Sequence, residues 1–248
     1  SSNTFAFIIG NENYQNVASV PFAANDAKIF SEYCHKTLGL PKENIKVYID
    51  ATYGKILGAL STLKQISQAY KGDINVIFYY AGHGVPNEKN NEAYLLPADA
   101  TPSMLEACLP LSSLYSSIGS IDAKQAIVFM DACFSGSRRE NGMIVSARGI
   151  AIKPKKDIVT GNVVVFSAAD GSETAYPYKE KGHGLFTYFL LKKLKESRGN
   201  VTLGDLADYI KTNVSQKSIV VNNKSQTPTI SSSAQMQDVW RTMKLYRK

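Results

Sequence analysis

Short apolar runs alternate with amphipathic segments along this 248-residue chain. Runs with the length of a strand buried on both faces of a parallel sheet occur at residues 5–10, 74–80, 126–130 and 163–166. Between them, apolar residues recur at helical spacing, most clearly over 54–70 and 184–194. This alternation predicts an α/β fold, with a mostly parallel sheet covered by helices on both faces.

The weaker signals complete the predicted order of elements. Further strands are expected at 44–49, 93–96 and 226–230, where Pro228 favours the edge of the sheet. Helices are expected over 25–38 and 111–118 and after residue 202, with Asn25 or Asp26 as the N-cap of the first. We predict one domain over residues 1–234, with a basic loop at 137–157 and a tail of unassigned role at 235–248.

Two predicted strand ends carry reactive side chains. The run 74–80 is followed by AGHG, which contains His83, and the run 126–130 is followed by DACFSG, which contains Cys133. In open α/β sheets, ligands bind at the carboxyl ends of the strands, so we expect the imidazole and the thiol to meet there. An imidazole can activate a thiol or protonate a leaving amine, whereas the alternative for Cys133 is simple packing.

These segments resemble the caspase superfamily. FYYAGHG and DACFSG carry the resemblance, supported by NDA at 25–27 and by VVVFSAADGSETAY after residue 162, and the likeness is greatest to the metacaspase-like and other bacterial caspase-like cysteine peptidases. The resemblance implies a three-layer sandwich with a mostly parallel six-stranded sheet. It also implies a cysteine endopeptidase that forms an acyl-enzyme on Cys133, with His83 as partner and Gly84 in the oxyanion hole.

The resemblance also implies a substrate. Asp26 and Asp131, with Asp170, would bind the side chain of Arg or Lys at the cleaved position of a protein or peptide, because carboxylates pair with guanidinium and ammonium groups. Each aspartate has a structural alternative: a helix cap for Asp26, a hydrogen-bonded strand end for Asp131 and a turn for Asp170. A catalytically silent interaction module and a different thiol hydrolase or acyl transferase on the same sheet are the competing functions.

The loop at 137–157 suggests self-processing. It carries basic residues that such an enzyme would accept, and long polar loops are the usual sites of cleavage. The candidates for cleavage are Arg148, Lys153, Lys155 and Lys156, whereas Arg138 and Arg139 lie close in sequence to the nucleophile.

Composition narrows the remaining possibilities. The net charge is +7 and the isoelectric point about 9.1, but the basic residues form no stripe with interleaved aromatics, so we expect no nucleic-acid partner. No apolar stretch reaches the roughly 18 residues of a membrane span, and we expect a soluble chain. The three cysteines suggest no disulfide framework. The absence of a methionine or signal peptide at Ser1 suggests a processed fragment, which leaves localisation and oligomeric state open.

No cofactor is expected either. Metacaspases often need calcium, but the chain turns basic after DACFSG and shows no acidic loop with EF-hand spacing. The histidines His35, His83 and His183 lack the spacing of a zinc site.

Overall fold

The computed structural model describes residues 3–135 and 157–245 of the chain. Six strands form the central sheet in the order β10-β7-β6-β3-β1-β2. Their bounds are Thr4–Gly10 for β1, Ile45–Ile49 for β2, Asn75–Pro86 for β3, Gln125–Cys133 for β6, Val163–Ser167 for β7 and Thr229–Ser232 for β10. The first five strands in this list run parallel, and β10 runs antiparallel to β7 at one edge. This is the mostly parallel sheet that the apolar runs predict.

Short strands extend the structure beyond the sheet. β4 (Ala93–Leu95) pairs antiparallel with the end of β3, and β5 (Leu109–Pro110) pairs with β4. A separate hairpin joins β8 (Pro177–Tyr178) and β9 (His183–Gly184) just before the fourth helix. β4 and β5 therefore lie beside the carboxyl end of β3.

Helices cover both faces of the sheet, as the sequence predicts. On one face lie α1 (Ala23–Lys36), α4 (Leu185–Glu196) and α5 (Leu203–Asn222), and on the other lie α2 (Tyr53–Ala69) and α3 (Leu111–Gly119). Each strand contributes alternate side chains to the two cores: Phe129 packs with the first group of helices and Val128 with the second. The result is the expected three-layer sandwich.

Four predicted boundaries are wrong. The sequence predicts that β3 and β6 stop before His83 and Cys133, but both strands continue through these residues because their backbones stay paired up to that point. The helix α1 begins at Ala23, earlier than predicted, and its N-cap is Phe22, so Asp26 lies within the first turn and is not the cap. The last strand begins at Thr229, although its edge position agrees with the prediction from Pro228.

The C-terminal residues return to the sheet. Gln125, the first residue of β6, donates through Nε2 to the carbonyl oxygens of Lys244 and Leu245 at 2.8 and 3.3 Å. Leu245 is buried, and Leu203 N donates to Met243 O at 2.7 Å. The described part of the predicted tail therefore packs against the same core as the preceding residues.

Candidate active site

His83 and Cys133 lie opposite each other on neighbouring parallel strands. The register of β3 and β6 pairs the two residues directly, at the carboxyl ends of both strands. His83 is 4% exposed and Cys133 is 6% exposed. The sheet thus brings together the two reactive groups that the sequence singled out, in a partly closed position.

A backbone carbonyl fixes the tautomer of the His83 ring. Nε2 lies 2.8 Å from the carbonyl oxygen of Ala18, in the loop between β1 and α1. A carbonyl oxygen only accepts, so Nε2 carries the proton of this bond, and Nδ1 is the basic nitrogen of the neutral ring. The ring is therefore oriented to exchange a proton through Nδ1.

The thiol of Cys133 contacts the loop that follows β7. The backbone N–H of Ala175 donates to Sγ at 2.9 Å, and the thiol lies 3.4 Å from the carbonyl oxygen of the same residue. The N–H donor suits a thiolate, whereas the carbonyl oxygen can accept only from the protonated thiol, so Ala175 offers a partner to both forms. The loop also accounts for the low exposure of the sulfur.

Two polar side chains, buried Gln226 and half-buried Glu173, hold this loop in place. Gln226 accepts from Tyr176 N at 2.8 Å and donates to Ala168 O at 2.9 Å, so one amide spans both ends of the loop. Glu173 accepts from the backbone N–H of Thr227 at 2.5 Å and from its hydroxyl at 3.2 Å. The residues before β10 therefore determine where the loop meets the thiol.

Gly84 lies where no larger residue fits. A Cβ at this position would overlap the ring of Phe134 and would lie 2.6 Å from the carbonyl oxygen of Cys133. The backbone of residue 84 consequently approaches the Cys133 peptide closely, which is compatible with the oxyanion role predicted for it.

Asp131 and Asp26 both contact the start of α4. Asp131 is fully buried on β6 and accepts from the Thr187 hydroxyl at 2.7 Å. Asp26, also fully buried, accepts from Gly184 N at 2.8 Å and pairs with Nδ1 of His183 at 2.6 Å. Two of the predicted substrate-binding carboxylates thus converge on residues 183–187, where a helix N-terminus also favours negative charge.

Asp170 lies in a different environment. Its carboxylate accepts from the backbone N–H and the hydroxyl of Ser172 at 3.2 and 3.1 Å, which is the turn contact considered as its alternative role. It also lines a cavity of about 320 Å³ that includes Phe134 and Asp157. Phe134, which lines this cavity with Asp170, packs against the core formed by α2 and α3, whereas the Cys133 side chain lies in the opposite core. Asp170 therefore faces the α2/α3 side and does not join the other two aspartates.

The other two cysteines, Cys34 and Cys108, lie in apolar clusters. None of the three cysteines, all of which belong to the described residues, forms a disulfide. Burial raises the pKa of Cys108 to about 12 and raises the pKa of Cys34 even further, so both remain protonated near neutral pH. Within residues 3–135 and 157–245, no group of three His, Cys, Asp or Glu side chains converges as metal ligands would.

Sequence reasoning missed three contributors to the site. Tyr14 lies in a polar stretch that carries no recognisable pattern, Gln226 is assigned only to the last predicted strand, and Glu173 has no role in the motif that contains it. Tyr14 lies 69 residues from its partner His83, and Gln226 lies 50 residues from Tyr176. Only the folded chain reveals such pairs.

A paired thiol and imidazole at the carboxyl end of a parallel sheet define a candidate thiol-hydrolase site on an α/β sandwich. Comparison with known families then places the chain: residues 3–239 match the family described as the caspase domain, and the chain belongs to that family. It is therefore a caspase-like, metacaspase-like protein of a cysteine peptidase family, as the sequence motifs indicated.

Individual relatives agree with this assignment. The chain is 29% identical over 202 residues to a paracaspase from Dictyostelium discoideum, a match that covers 81% of this chain but only 46% of the relative. Among solved structures, caspase-1 from Spodoptera frugiperda superposes with a TM-score of 0.66 at 16% identity, covering 93% of this chain and 86% of that one. A Geobacter sulfurreducens protein gives 0.69 at 16% identity, covering 98% and 97%. At this identity the structures support the fold alone.

No helix in the described residues has both the length and the apolar character needed to cross a membrane.

Proposed function

We propose that this chain is a cysteine endopeptidase in which Cys133 attacks the scissile carbonyl and His83 transfers the proton. The observation that carries the proposal is the register of β3 and β6. It brings the two residues side by side at the carboxyl ends of their strands, where ligands bind in open α/β sheets. The Nε2 bond to Ala18 supports Nδ1 as the nitrogen that takes a proton from the thiol and later gives one to the leaving amine.

The oxyanion that forms during the attack needs donors fixed in advance. We assign this role to the backbone amides of Gly84 and Cys133, and the close approach of these two residues supports the assignment. Glycine at position 84 leaves the space beside the Cys133 peptide open to a tetrahedral intermediate.

The proposed specificity is for Arg or Lys at the cleaved position. Asp131 lies two residues before Cys133 on the same strand, so both side chains point to the same face of the sheet, and Asp26 reaches the same segment, 183–187. Both carboxylates already have protein partners, so a substrate guanidinium would add to these contacts or replace the His183 contact. Asp170 faces the α2/α3 side of the sheet, away from Asp131, and is a weaker candidate for this role.

A panel of fluorogenic peptides tests the proposal. Peptides with Arg, Lys, Asp or Asn at the cleaved position are compared on wild type, Cys133→Ala and a control, Cys108→Ala. We expect cleavage after Arg and Lys that disappears in Cys133→Ala alone. Equal cleavage after Asp would contradict the acidic pocket, and an inactive wild type would favour a silent interaction module.

The role of Asp131 needs its own control. Asp131→Asn should reduce the preference for Arg peptides, because it removes a buried charge that pairs with the substrate cation. Asp208→Asn, which removes an exposed carboxylate paired with Arg241, should leave it unchanged. A mere loss of Tm in Asp131→Asn, with the preference intact, would assign Asp131 to holding Thr187 and α4.

Calcium and self-processing complete the proposal. We propose that hydrolysis needs no metal, so activity should be the same in excess calcium and in excess chelator. The candidate self-cleavage positions, Arg148, Lys153, Lys155 and Lys156, lie outside the described residues. Mass spectrometry of wild type beside Cys133→Ala tests them: cuts in the wild type alone support self-processing, and an active but intact wild type excludes it.

A further inference from the structure

Two tyrosines hold the backbone of His83 by hydrogen bonds on both sides of the residue. The His83 N–H donates to the Tyr14 hydroxyl at 2.8 Å, and the Tyr80 hydroxyl donates to the His83 carbonyl oxygen at 2.8 Å. The single proton of Tyr80 is directed to carbonyl oxygens, those of His83 and, at 3.2 Å, Leu96.

The bond from Tyr80 to His83 stays intact at neutral pH. Burial, followed by the neighbouring Tyr14, raises the pKa of Tyr80 well above its ordinary value of 10.0. The phenol of Tyr80 therefore keeps its proton and remains the donor to the His83 carbonyl oxygen.

Tyr14 also contacts the imidazole itself. The two ring centroids lie 4.8 Å apart with an interplanar angle of 45°. Four residues further along the same loop, the Ala18 carbonyl accepts from Nε2. One loop thus contacts the backbone, the face and the edge of His83.

The space occupied by the phenols explains the glycine before His83. A Cβ at Gly82 would lie 2.6 Å from the Tyr80 hydroxyl oxygen and 2.7 Å from that of Tyr14. Cβ atoms in protein structures essentially never lie so close to other heavy atoms. Alanine at position 82 would therefore displace the tyrosine hydroxyls that contact the backbone of His83.

The loop that carries Tyr14 is anchored independently. Asp50 accepts from the backbone N–H groups of Glu12 and Asn13, each at 2.9 Å. Gln15 N donates to Ala98 O at 3.0 Å, on the other side of Tyr14. The backbone is consequently fixed both before and after Tyr14, which sets the position of its side chain.

We propose that Tyr14 is a positioning residue for the peptidase reaction, acting through His83. Its hydroxyl accepts from the backbone N–H of His83, and its aromatic ring packs on the imidazole. The imidazole therefore keeps one rotamer and the Nε2–H tautomer that donates to Ala18 O. Tyr80 has the same positioning role, through its hydrogen bond to the His83 carbonyl oxygen. The inference rests on the proposed function, because it concerns the proton transfer assigned to His83.

Steady-state kinetics with the preferred peptide test the role. In Tyr14→Phe, which keeps the ring and loses the hydroxyl, kcat should fall about tenfold with KM changed less than about twofold, because misplacing a catalytic group slows the chemical step more than binding. Tyr14→Ala should lower kcat about a hundredfold. The control Tyr70→Phe removes an exposed phenol that packs against Phe5 at the opposite end of the sheet and should change neither value.

A second measurement needs no substrate. Nitrogen NMR of histidine-labelled protein, with the His83 signals assigned from His83→Ala, reports the tautomer of the ring. Wild type should show the Nε2–H form, and Tyr14→Ala should show a mixture of tautomers. Because this readout does not depend on peptide cleavage, it separates a failure of the positioning role from a failure of the peptidase assignment.

Two results would overturn the role of Tyr14. One is a Tyr14→Phe protein with wild-type kcat and unchanged His83 signals. The other is a lower Tm in Tyr14→Phe without any change in kcat or tautomer, which would make the tyrosine purely structural. If Tyr14→Ala does not fold, Tyr80→Phe is the second variant, because it removes the hydroxyl that donates to the His83 carbonyl oxygen. An unchanged kcat and an unchanged His83 spectrum in Tyr80→Phe would equally contradict the proposal.

Discussion

The backbone amide of Ala175 lies 2.9 Å from the sulfur of Cys133, and 42 residues separate the two in the chain. The contact places the thiol under the loop between β7 and β8. Gln226 spans the ends of this loop, so a residue near the end of the chain influences access to the thiol.

Removing the Gln226 amide should loosen that loop. Gln226→Ala leaves the backbone groups of Ala168 and Tyr176 without their partner, and we expect a loss of about 1–3 kcal/mol in the free energy of unfolding, the typical cost of an unsatisfied buried group. Cys133 should also react faster with iodoacetamide. Denaturant unfolding and timed labelling measure the two effects, with the exposed Gln237→Ala as control. Unchanged labelling of Cys133 would show that the amide does not control access.

A methyl group at position 84 should damage the site. Gly84→Ala introduces a Cβ that overlaps the Phe134 ring and approaches Cys133 O, so the backbone must move away from the nucleophile. If one oxyanion donor is displaced, kcat should drop by on the order of a hundredfold or more. Gly58→Ala is the matched control, since a Cβ there meets no atom within 4 Å and alanine favours a helix. Near-normal kcat in Gly84→Ala would argue against the oxyanion role.

Thiol labelling of the folded wild type should be selective. Burial raises the pKa of Cys108 to about 12 and that of Cys34 further, so at pH 8 neither forms appreciable thiolate, the species that reacts. Iodoacetamide should therefore modify Cys133 first, as peptide mass spectrometry can determine. Equal labelling of all three cysteines in folded protein would show that the cores open more readily than this packing indicates.

Acid should weaken the anchor of the Tyr14 loop. Although burial opposes the shift, hydrogen bonds from Asn13 and Glu12 lower the pKa of Asp50 below its ordinary 3.8. A lowered folded-state pKa means that this stabilisation is fully present above the unfolded-state value and is lost as the pH falls through the folded-state value. The Tm difference between wild type and Asp50→Asn should be largest at pH 6–7 and should shrink below about pH 3. A difference independent of pH would mean that the charge of Asp50 contributes nothing.

The sequence predicts the sheet and the pair His83 and Cys133, but not the details around them. Apolar runs such as residues 126–130 identify buried strands because both faces of the sheet are covered. They do not show that β6 continues through Cys133, since the small and polar residues of DAC have no strand signature. Backbone pairing with β3 extends the strand there.

The supporting contacts escape sequence reasoning for a different reason. Tyr14 and Gln226 act on residues far away in the chain, and their positions depend on the paths of two irregular loops. Asp26 has the sequence features of a helix cap, but Phe22 adopts a left-handed conformation with φ of 71° and starts the helix one turn earlier. That choice places the Asp26 carboxylate beside Gly184.

The bonds from Gln125 to residues 244 and 245 have a practical consequence for anyone who produces or fuses this domain. A recombinant protein that ends at residue 234, where the predicted tail begins, would leave the Gln125 amide unsatisfied and remove the buried Leu245 from beneath the strand that carries Cys133. A tag or a partner domain attached there would have the same effect. Fusion partners should therefore be joined beyond Leu245, at the end of the sheet opposite the thiol.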